Sequence, residues 1–261
     1  MPDRTEELEA KVAKLTRALE KQIARSINDT LQRLEEATGT GIERAEALRT
    51  LPRALDQAGL SDVRLQLEEI FADELREIRR ELSKVAKTEV RYTTVDAELV
   101  EQLLDSYVEG VFVTLEGLNV DIQSELTRQV LIGDRPNLDD ILENATPRQV
   151  RNINTELNTA TLAFSRSMTV RKADELGLTH AQYTGPNDKV TRPFCDHLLG
   201  DSRLEFASIP SRRSGVYTLA EVQRMDNGQG LDVRQFAGGW NCRHRWSFIT
   251  ETRAKELGYP N

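Results

Sequence analysis

Both cysteines of this 261-residue chain and two of its three histidines lie in two short motifs near the C-terminus, Cys195-x-His197 and Cys242-x-His244. The region that holds these motifs, from about residue 180 to residue 261, is rich in turn residues and lacks long periodic segments. A module of roughly 80 residues with few long elements has a limited hydrophobic core. Its stability gains most from an added cross-link, such as a bound structural metal, which we call a staple. The paired thiols and imidazoles therefore constrain the fold of this region more than its other features do.

The second motif predicts a strand with two unlike faces. Side chains alternate along a strand, so a thiol, an imidazole and two aromatic rings would share the inward face: Cys242, His244, Trp246 and Phe248. The opposite face would carry Arg243, Arg245 and Ser247. This pattern predicts that the two arginines point away from the core of the module.

The first motif predicts a short helix instead. Pro193 is typical of a first helical turn, and Gly200 is typical of a helix C-terminus. Residues two apart do not share a face of a helix, so Cys195 and His197 need not point at the same partner.

Composition limits the class of protein. With 38% hydrophobic and 30% charged residues, the chain can form one large or two modest domains with a hydrophobic core. No apolar run is long enough to cross a bilayer, and the first residues lack the layout of a signal peptide, so we expect no membrane partner. We therefore expect folding in a reducing cytosol. There, two cysteines indicate buried thiols or metal ligands rather than a disulfide framework.

The formal net charge of −8 is concentrated before the C-terminal region. From Lys189 onward, basic side chains slightly outnumber acidic ones, so the rest of the chain is strongly acidic. Binding to a nucleic-acid backbone depends on clustered Lys and Arg, and this distribution argues against such binding by the acidic part.

Long helices are predicted for the N-terminal region, 1–92. Apolar residues recur at steps of three and four from Thr5 to Leu34. The average step is closer to that of an eleven-residue repeat than to that of a strict heptad repeat. This spacing favours packing on other helices, within the chain or in another subunit, over a two-stranded coiled coil. A second stripe runs from Leu67 to Val85, after predicted breaks at Thr38–Gly41, Pro52 and Gly59.

The central region, 93–179, is also predicted to be helical. Two adjacent apolar rows between Leu99 and Leu115 indicate a buried helix, with breaks at Gly117, at 133–136 and at Asn144. Thr146 and Pro147 then mark the start of a helix that ends near Gly177. Its middle is rich in small polar residues, a composition that fits either close helix packing or a half-exposed face.

The last region, 180–261, is predicted to be a small α+β module. Thr218 and Glu221 form a capping box that opens a short helix, Leu204–Phe206 fits a short strand, and Leu231–Phe236 is partly alternating. The predicted fold class is therefore mainly α in the N-terminal and central regions, with a small C-terminal α+β module that zinc could staple.

Three segments of this module resemble one known family. They are Tyr-Thr-Gly-Pro-Asn-Asp-Lys-Val-Thr-Arg-Pro-Phe-Cys ending at Cys195, Met-Asp-Asn-Gly-Gln-Gly from Met225, and Gly-Gly-Trp-Asn-Cys-Arg-His-Arg-Trp from Gly238. Together they resemble the C-terminal domain of tailed-bacteriophage minor head proteins, the phage Mu protein F-like head-morphogenesis family. The resemblance covers about the last third of the chain and extends loosely to 146–177.

The resemblance implies a minor capsid protein of the virion, assembled in the host cytoplasm. Such a protein sits near the portal vertex and acts in head morphogenesis, DNA packaging or delivery, with portal and capsid proteins as partners. Many members carry further metal-ligand residues where this chain has Arg192, Gly239 and His244. The candidate ligands here are Cys195, His197, Cys242 and His244, with the distant His180 as another fourth ligand and zinc as the ion. Two buried reduced thiols are the alternative.

Other features receive structural interpretations. Arg192, Asp188 and Arg243 are expected to form an ion-pair and turn-capping network that joins the two ends of the motif region. Packaged DNA near Arg243 and Arg245, and self-association through the N-terminal helices, are further expectations. We expect no enzymatic activity.

Two other functions stay open at this point. Asn241, His244 and a thiol are residue types found in metal-dependent nucleases, so a nuclease-like toxin or effector module is one alternative. No carboxylate pair completes a hydrolytic site, and His244 is predicted to face inward. A helical adaptor or scaffold protein is the other alternative, which explains the helices but leaves the motifs unexplained.

Overall fold

The computed structural model describes residues 4–36, 41–131, 147–200, 209–210 and 212–260. Four long helices come first: α1 (Arg4–Glu36), α2 (Gly41–Ala86), α3 (Thr94–Leu131) and α4 (Pro147–Glu175). Short elements follow: β1 (His180–Thr184), α5 (Pro193–Leu199), β2 (Val216–Thr218), α6 (Leu219–Val222), α7 (Val233–Phe236), β3 (Arg245–Ile249) and α8 (Glu251–Glu256). The predicted fold class is confirmed, with long helices followed by a small α+β region. Within the described helices, none is long and apolar enough to span a bilayer.

Three of the predicted helix breaks are wrong. Helix α2 continues through Pro52 and Gly59, and α3 continues through Gly117. In a helix interior, proline lowers helix stability by about 3 kcal/mol and glycine by about 1 kcal/mol relative to alanine. Packing of the buried stripe of a long helix stabilises it by enough to offset these local losses. The other expected breaks and the expected strand lie outside the described residues: 38–40, 133–136, Asn144 and 204–206.

The described chain divides into two compact units, each assembled from separate segments. One unit comprises Ala10–Glu69 and Glu101–Leu157, and the other comprises Met1–Glu9, Ile70–Val100 and Asn158–Asn261. We call them the helical unit and the mixed unit. The compact units follow other boundaries than the predicted regions 1–92, 93–179 and 180–261, which stay a prediction of domain organisation.

The helical unit buries one stripe from each of its helices. Its fully buried side chains include Val12, Leu15, Leu19 and Ile23 of α1, Val63 and Leu67 of α2, Leu104, Val111, Leu115, Leu118 and Ile122 of α3, and Ile153 and Leu157 of α4. The step of three or four residues between them is the predicted helical period. On its surface Arg64 of α2 bonds Asp105 of α3 at 2.6 Å, an exposed pair of small energetic value.

The mixed unit contains a three-stranded antiparallel sheet in the order β2-β1-β3. Tyr183 of β1 lies opposite Trp246 of β3, and Ala181 lies opposite both Tyr217 and Phe248. Residues directly opposite each other on antiparallel strands share a face of the sheet. Tyr183 and Trp246 therefore enter the same side of the core.

Helix α4 supplies much of the remaining core of the mixed unit. Almost every residue of its middle is buried: Thr159, Ala160, Thr161, Leu162, Ala163, Phe164, Arg166 and Met168. Phe164 stacks on Phe71 of α2 with ring centroids 3.7 Å apart. Of the small polar residues, Thr159 and Thr161 are buried, whereas Asn158, Ser165 and Ser167 are half-buried, so each of the two interpretations holds for part of this stretch.

A buried ion pair joins α3 to α4 in the mixed unit. Lys172 Nζ bonds Asp96 Oδ2 at 2.5 Å, and both side chains are buried. Burial alone would raise the pKa of Asp96, but hydrogen bonds from Lys172, Arg171 and Thr93 outweigh it and hold that pKa below its usual range. The pair therefore links α4 to the start of α3.

Local signals in the sequence locate the short elements well. Helix α5 has Pro193 in its first turn and ends at Gly200, which has φ 86°. Thr218 and Glu221 form both hydrogen bonds of the predicted capping box. Helix α4 ends with Gly177 at φ 68° and a backbone bond from Leu178 N to Ala173 O, a Schellman motif.

Candidate metal centre

Three metal-ligand side chains meet in the core of the mixed unit. Cys195 lies on α5, and Cys242 and His244 lie just before β3. The Sγ atoms of the two cysteines are 3.7 Å apart, and Cys242 Sγ is 3.6 Å from His244 Nδ1. All three ligand atoms lie within 4.8 Å of one another, close enough to hold a metal ion.

Two of the three distances between the donors match the edges of a tetrahedral site. With Zn–S bonds of about 2.3 Å and a Zn–N bond of about 2.0 Å, a tetrahedron has an S···S edge of about 3.8 Å and an S···N edge of about 3.5 Å. The observed values are 3.7 Å and 3.6 Å. The two cysteines are free, since a disulfide would need an S–S distance of about 2.05 Å. The third pair, Cys195 Sγ and the ligand nitrogen of His244, lies within 4.8 Å, so the three donors are close enough together to hold a metal ion.

The tautomer of His244 follows from its other contact. His244 Nε2 lies 2.9 Å from the carbonyl oxygen of Pro186. A carbonyl oxygen only accepts, so Nε2–H donates the hydrogen bond and neutral His244 leaves a lone pair on Nδ1. That lone pair is on the ring nitrogen nearest Cys242. Metal-binding histidines are commonly oriented by such a bond from the second nitrogen to a carbonyl.

The two thiols differ in their electrostatic surroundings. The hydrogen bond with Cys195 is the main cause that holds the pKa of Cys242 below its usual value, and the nearby charge of Arg166 adds to it, although burial opposes both. Gly238 N–H also donates to Cys242 Sγ at 3.2 Å. The hydrogen bond to Cys242 and burial raise the pKa of Cys195. The thiolate is the form that binds a metal, and Cys242 is the thiol better prepared for it.

Arg166 of α4 fixes the backbone of the second motif. Its guanidinium donates to the carbonyl oxygen of His244 at 2.8 Å, to that of Gln235 at 3.2 Å and to that of Cys242. The arginine is buried, so these bonds are made away from water. Asn241 N–H also bonds Thr159 Oγ1 of α4 at 2.9 Å. Helix α4 thus positions both ligands of the second motif.

Two glycines allow the backbone to approach the ligands. A Cβ atom at Gly238 would overlap Cys195 Sγ and lie 3.2 Å from Cys242 Sγ. At Gly185, which has φ 150°, a Cβ atom would lie 2.7 Å from His244 Cδ2. The contacts with Cys195 Sγ and with His244 Cδ2 are closer than real Cβ atoms make, so both positions require glycine.

The predicted polar network between the two ends of the motif region is confirmed. Arg243 Nη2 bonds Asp188 Oδ1 at 2.7 Å, and Arg192 donates to the carbonyl oxygens of Gly238 and Trp240. The ion pair with Arg243 is the main cause that lowers the pKa of Asp188 to about 2. The network joins the loop before α5 to the loop before β3.

Comparison of the chain with family models, with curated proteins and with solved structures found no match.

The structure does not bring the other two histidines into the group. His197 is buried on α5, and its Nε2 lies 3.3 Å from the carbonyl oxygen of Ile209. His180 contacts Thr179 and packs edge-on against Tyr259. Within the described part of the chain, no fourth His, Cys, Asp or Glu joins Cys195, Cys242 and His244. As expected from helix geometry, Cys195 and His197 face different partners.

The alternation predicted for the second motif is confirmed, although the strand proper begins at Arg245. Cys242, His244, Trp246 and Phe248 are buried, whereas Arg243, Arg245 and Ser247 are half-buried. Each arginine reaches an acidic side chain of the mixed unit. Arg243 pairs with Asp188, and Arg245 lies 3.6 Å from Glu81 of α2. The outward face is therefore partly neutralised.

Sequence reasoning missed two side chains at this centre. Arg166 follows Thr159 by seven residues and Leu162 by four, so it continues the buried face of α4, and a charged residue on such a face was the available signal. Tyr183 was noted only as part of the motif. Its place beside the thiols depends on the pairing of β1 with β3, which a single sequence does not reveal.

Proposed function

We propose that this chain is a structural minor head protein of a tailed phage, associated with the portal vertex and acting in head morphogenesis, DNA packaging or delivery. One observation carries the proposal. The segments ending at Cys195 and starting at Gly238, on which the family resemblance rests, pack against each other around a single buried cluster. Motifs that meet in this way act as one structural unit, which supports their use as a family signature.

We propose zinc as the ion that this cluster holds. Two thiols and one imidazole are soft and borderline donors, the set that zinc prefers in structural sites. Cys195 would hold the ion from α5, and Cys242 and His244 would hold it from the segment before β3. Zinc would supply folding free energy there, because its binding links two segments of a module with a limited core.

Burial supports a structural role over hydrolysis. The exposed fractions of Cys195, Cys242 and His244 are 1%, 3% and 2%. His244 Nε2 is hydrogen-bonded to Pro186, and Nδ1 faces Cys242. A nuclease needs its metal or its general base to reach a phosphodiester, and these donors lie inside the core. We therefore favour a structural role without catalysis over the nuclease-like alternative.

The partners we propose are the portal and capsid proteins and further copies of this chain. Large apolar side chains are exposed on the long helices of the helical unit, among them Leu65, Val113 and Val120. Exposed apolar residues on long helices suit contact with neighbouring subunits. Contact of Arg243 and Arg245 with DNA stays a weaker proposal, because each arginine already has an acidic neighbour.

A complementation experiment tests this function. The gene is deleted from the phage that encodes it and supplied from a plasmid, as the wild-type chain or as Cys242→Ser. We expect wild-type chain in purified heads by mass spectrometry, and few DNA-filled heads without it. Cys242→Ser should rescue poorly because the module loses its staple. A normal yield of infectious particles without the protein, or heads that never contain it, would contradict the proposal.

A further inference from the structure

We propose that the phenolic oxygen of Tyr183, which releases its proton to solvent as the ion binds, is the fourth metal ligand, so that the centre is a Cys195, Cys242, His244 and Tyr183 site. The inference rests on the zinc staple proposed above and deepens it. The three donors described so far leave one corner of a tetrahedron open. Within the described residues no further histidine, cysteine or carboxylate reaches that corner.

Tyr183 Oη has the position that a fourth donor requires. It lies 3.3 Å from Cys195 Sγ and 3.7 Å from Cys242 Sγ. A tetrahedron with Zn–S bonds of about 2.3 Å and a Zn–O bond of about 2.0 Å has S···O edges of about 3.5 Å. The mean of the two observed distances is close to that edge. One oxygen position is therefore within reach of both sulfur ligands.

The ring of Tyr183 is held so that the hydroxyl stays in place. It stacks on the His244 imidazole with centroids 5.2 Å apart and 7° between the planes, and it packs on Trp246 at 4.7 Å. The side chain is 2% exposed, and its strand position is fixed by pairing with Trp246. A buried hydroxyl in this place excludes water from the fourth corner. The geometry therefore points to a closed, structural site.

Cobalt spectroscopy on the full chain tests the ligand. The protein is stripped with chelator and loaded with Co²⁺, whose visible bands report the ligands of a tetrahedral site, and azide is then added as a small anion. The wild type should show four-coordinate bands that azide does not change. In Tyr183→Phe the ring and its stacking are kept, but the open corner should admit water, shift the bands and bind azide. Zinc affinity should also fall by at least about 10-fold.

Tyr217→Phe is the matched control. Tyr217 is a fully buried tyrosine of β2, and its hydroxyl has no hydrogen-bond partner within the described residues. Removing that hydroxyl should leave the cobalt bands and the azide response as in the wild type. Far-ultraviolet circular dichroism of both variants checks that each one is folded.

The outcomes separate this inference from the staple itself. Two results would overturn the role of Tyr183 while leaving a metal staple in place. One is wild-type cobalt bands that change when azide is added. The other is a Tyr183→Phe spectrum that is identical to the wild type and does not change with azide. A wild-type chain that binds neither Co²⁺ nor Zn²⁺ would overturn both. Folded Tyr183→Phe protein with altered bands supports Tyr183 as the ligand.

Discussion

Arg166 stabilises the second motif by a means that does not depend on a metal. Two of its three hydrogen bonds to carbonyl oxygens hold the peptide groups of Cys242 and His244 against α4, and the third goes to Gln235. A buried charged donor that loses its partners, or buried carbonyls that lose their donor, each carry a desolvation cost. The ligand segment should therefore keep much of its position when metal is absent.

Arg166→Met tests this anchoring role. The substitution keeps the apolar stem but leaves three carbonyl oxygens without their donor, and each lost bond to a charged group is worth about 1.5–3 kcal/mol. We expect the free energy of unfolding to fall by at least about 3 kcal/mol in urea titrations. Arg151→Met on the exposed face of the same helix is the control and should change it by less than about 0.5 kcal/mol. Similar losses from the two variants would contradict the anchoring role.

Metal content is the second prediction at the scale of single residues. The purified full chain should contain about one zinc per molecule and should melt at lower temperature after chelation, because structural zinc contributes folding free energy. Cys242→Ser should lose both the zinc and the effect of the chelator. An absence of bound metal in wild-type protein, together with melting that chelator leaves unchanged, would show that the cluster is a packed pair of thiols.

At the scale of elements, helix α6 shows how a local signal and a distant partner combine. Thr218 and Glu221 form the capping box, and Glu221 also pairs with Arg212 at 2.7 Å. Burial would raise the pKa of Glu221, but the bonds from Arg212 and Thr218 prevail and lower that pKa from 4.5 to about 2. The capping box was predicted from sequence. The ion pair was not, because nothing local specifies which arginine reaches Glu221.

This shift predicts how stability depends on pH. The folded pKa lies below the unfolded one, so the contribution of Glu221 is complete above about pH 4.5 and is lost as the pH falls toward 2, with a full value of roughly 3 kcal/mol. Glu221→Gln should remove that part of the acid dependence in urea titrations between pH 5 and about pH 2.5. Glu256→Gln, at an exposed position of α8, is the matched control. An unchanged acid profile in Glu221→Gln would contradict the assignment.

At the scale of the whole molecule, each compact unit is assembled from distant parts of the sequence. The mixed unit includes Ile70–Val100 as well as Asn158–Asn261, and Phe71 stacks on Phe164 within it. Periodicity predicted the long helices and short-range signals predicted α5, α6 and the end of α4. The places where Arg166 meets Cys242, or Tyr183 meets Cys195, depend on contacts across many residues, and spacing along one sequence carries no record of them.

Phe71→Ala tests the contribution of α2 to the mixed unit. Phe71 is almost fully buried, so its removal leaves a cavity beside Phe164 and should lower the free energy of unfolding by about 3–5 kcal/mol. Leu65→Ala on the same helix is the control, since Leu65 is 62% exposed and should have little effect. Urea titrations of the two variants measure both free energies of unfolding. Equal effects of the two changes would contradict the assignment of Phe71 to the core.

Gly238 sets a limit on how this chain can vary over generations. The Cβ atom that every other amino acid would add at this position falls on Cys195 Sγ, so even alanine pushes a thiol away from its partners. Trp240, two residues later, is 43% exposed and meets no such obstacle. Substitutions should therefore be tolerated at Trp240 and removed by selection at Gly238. We expect related chains to keep glycine at position 238 long after the surrounding surface has diverged.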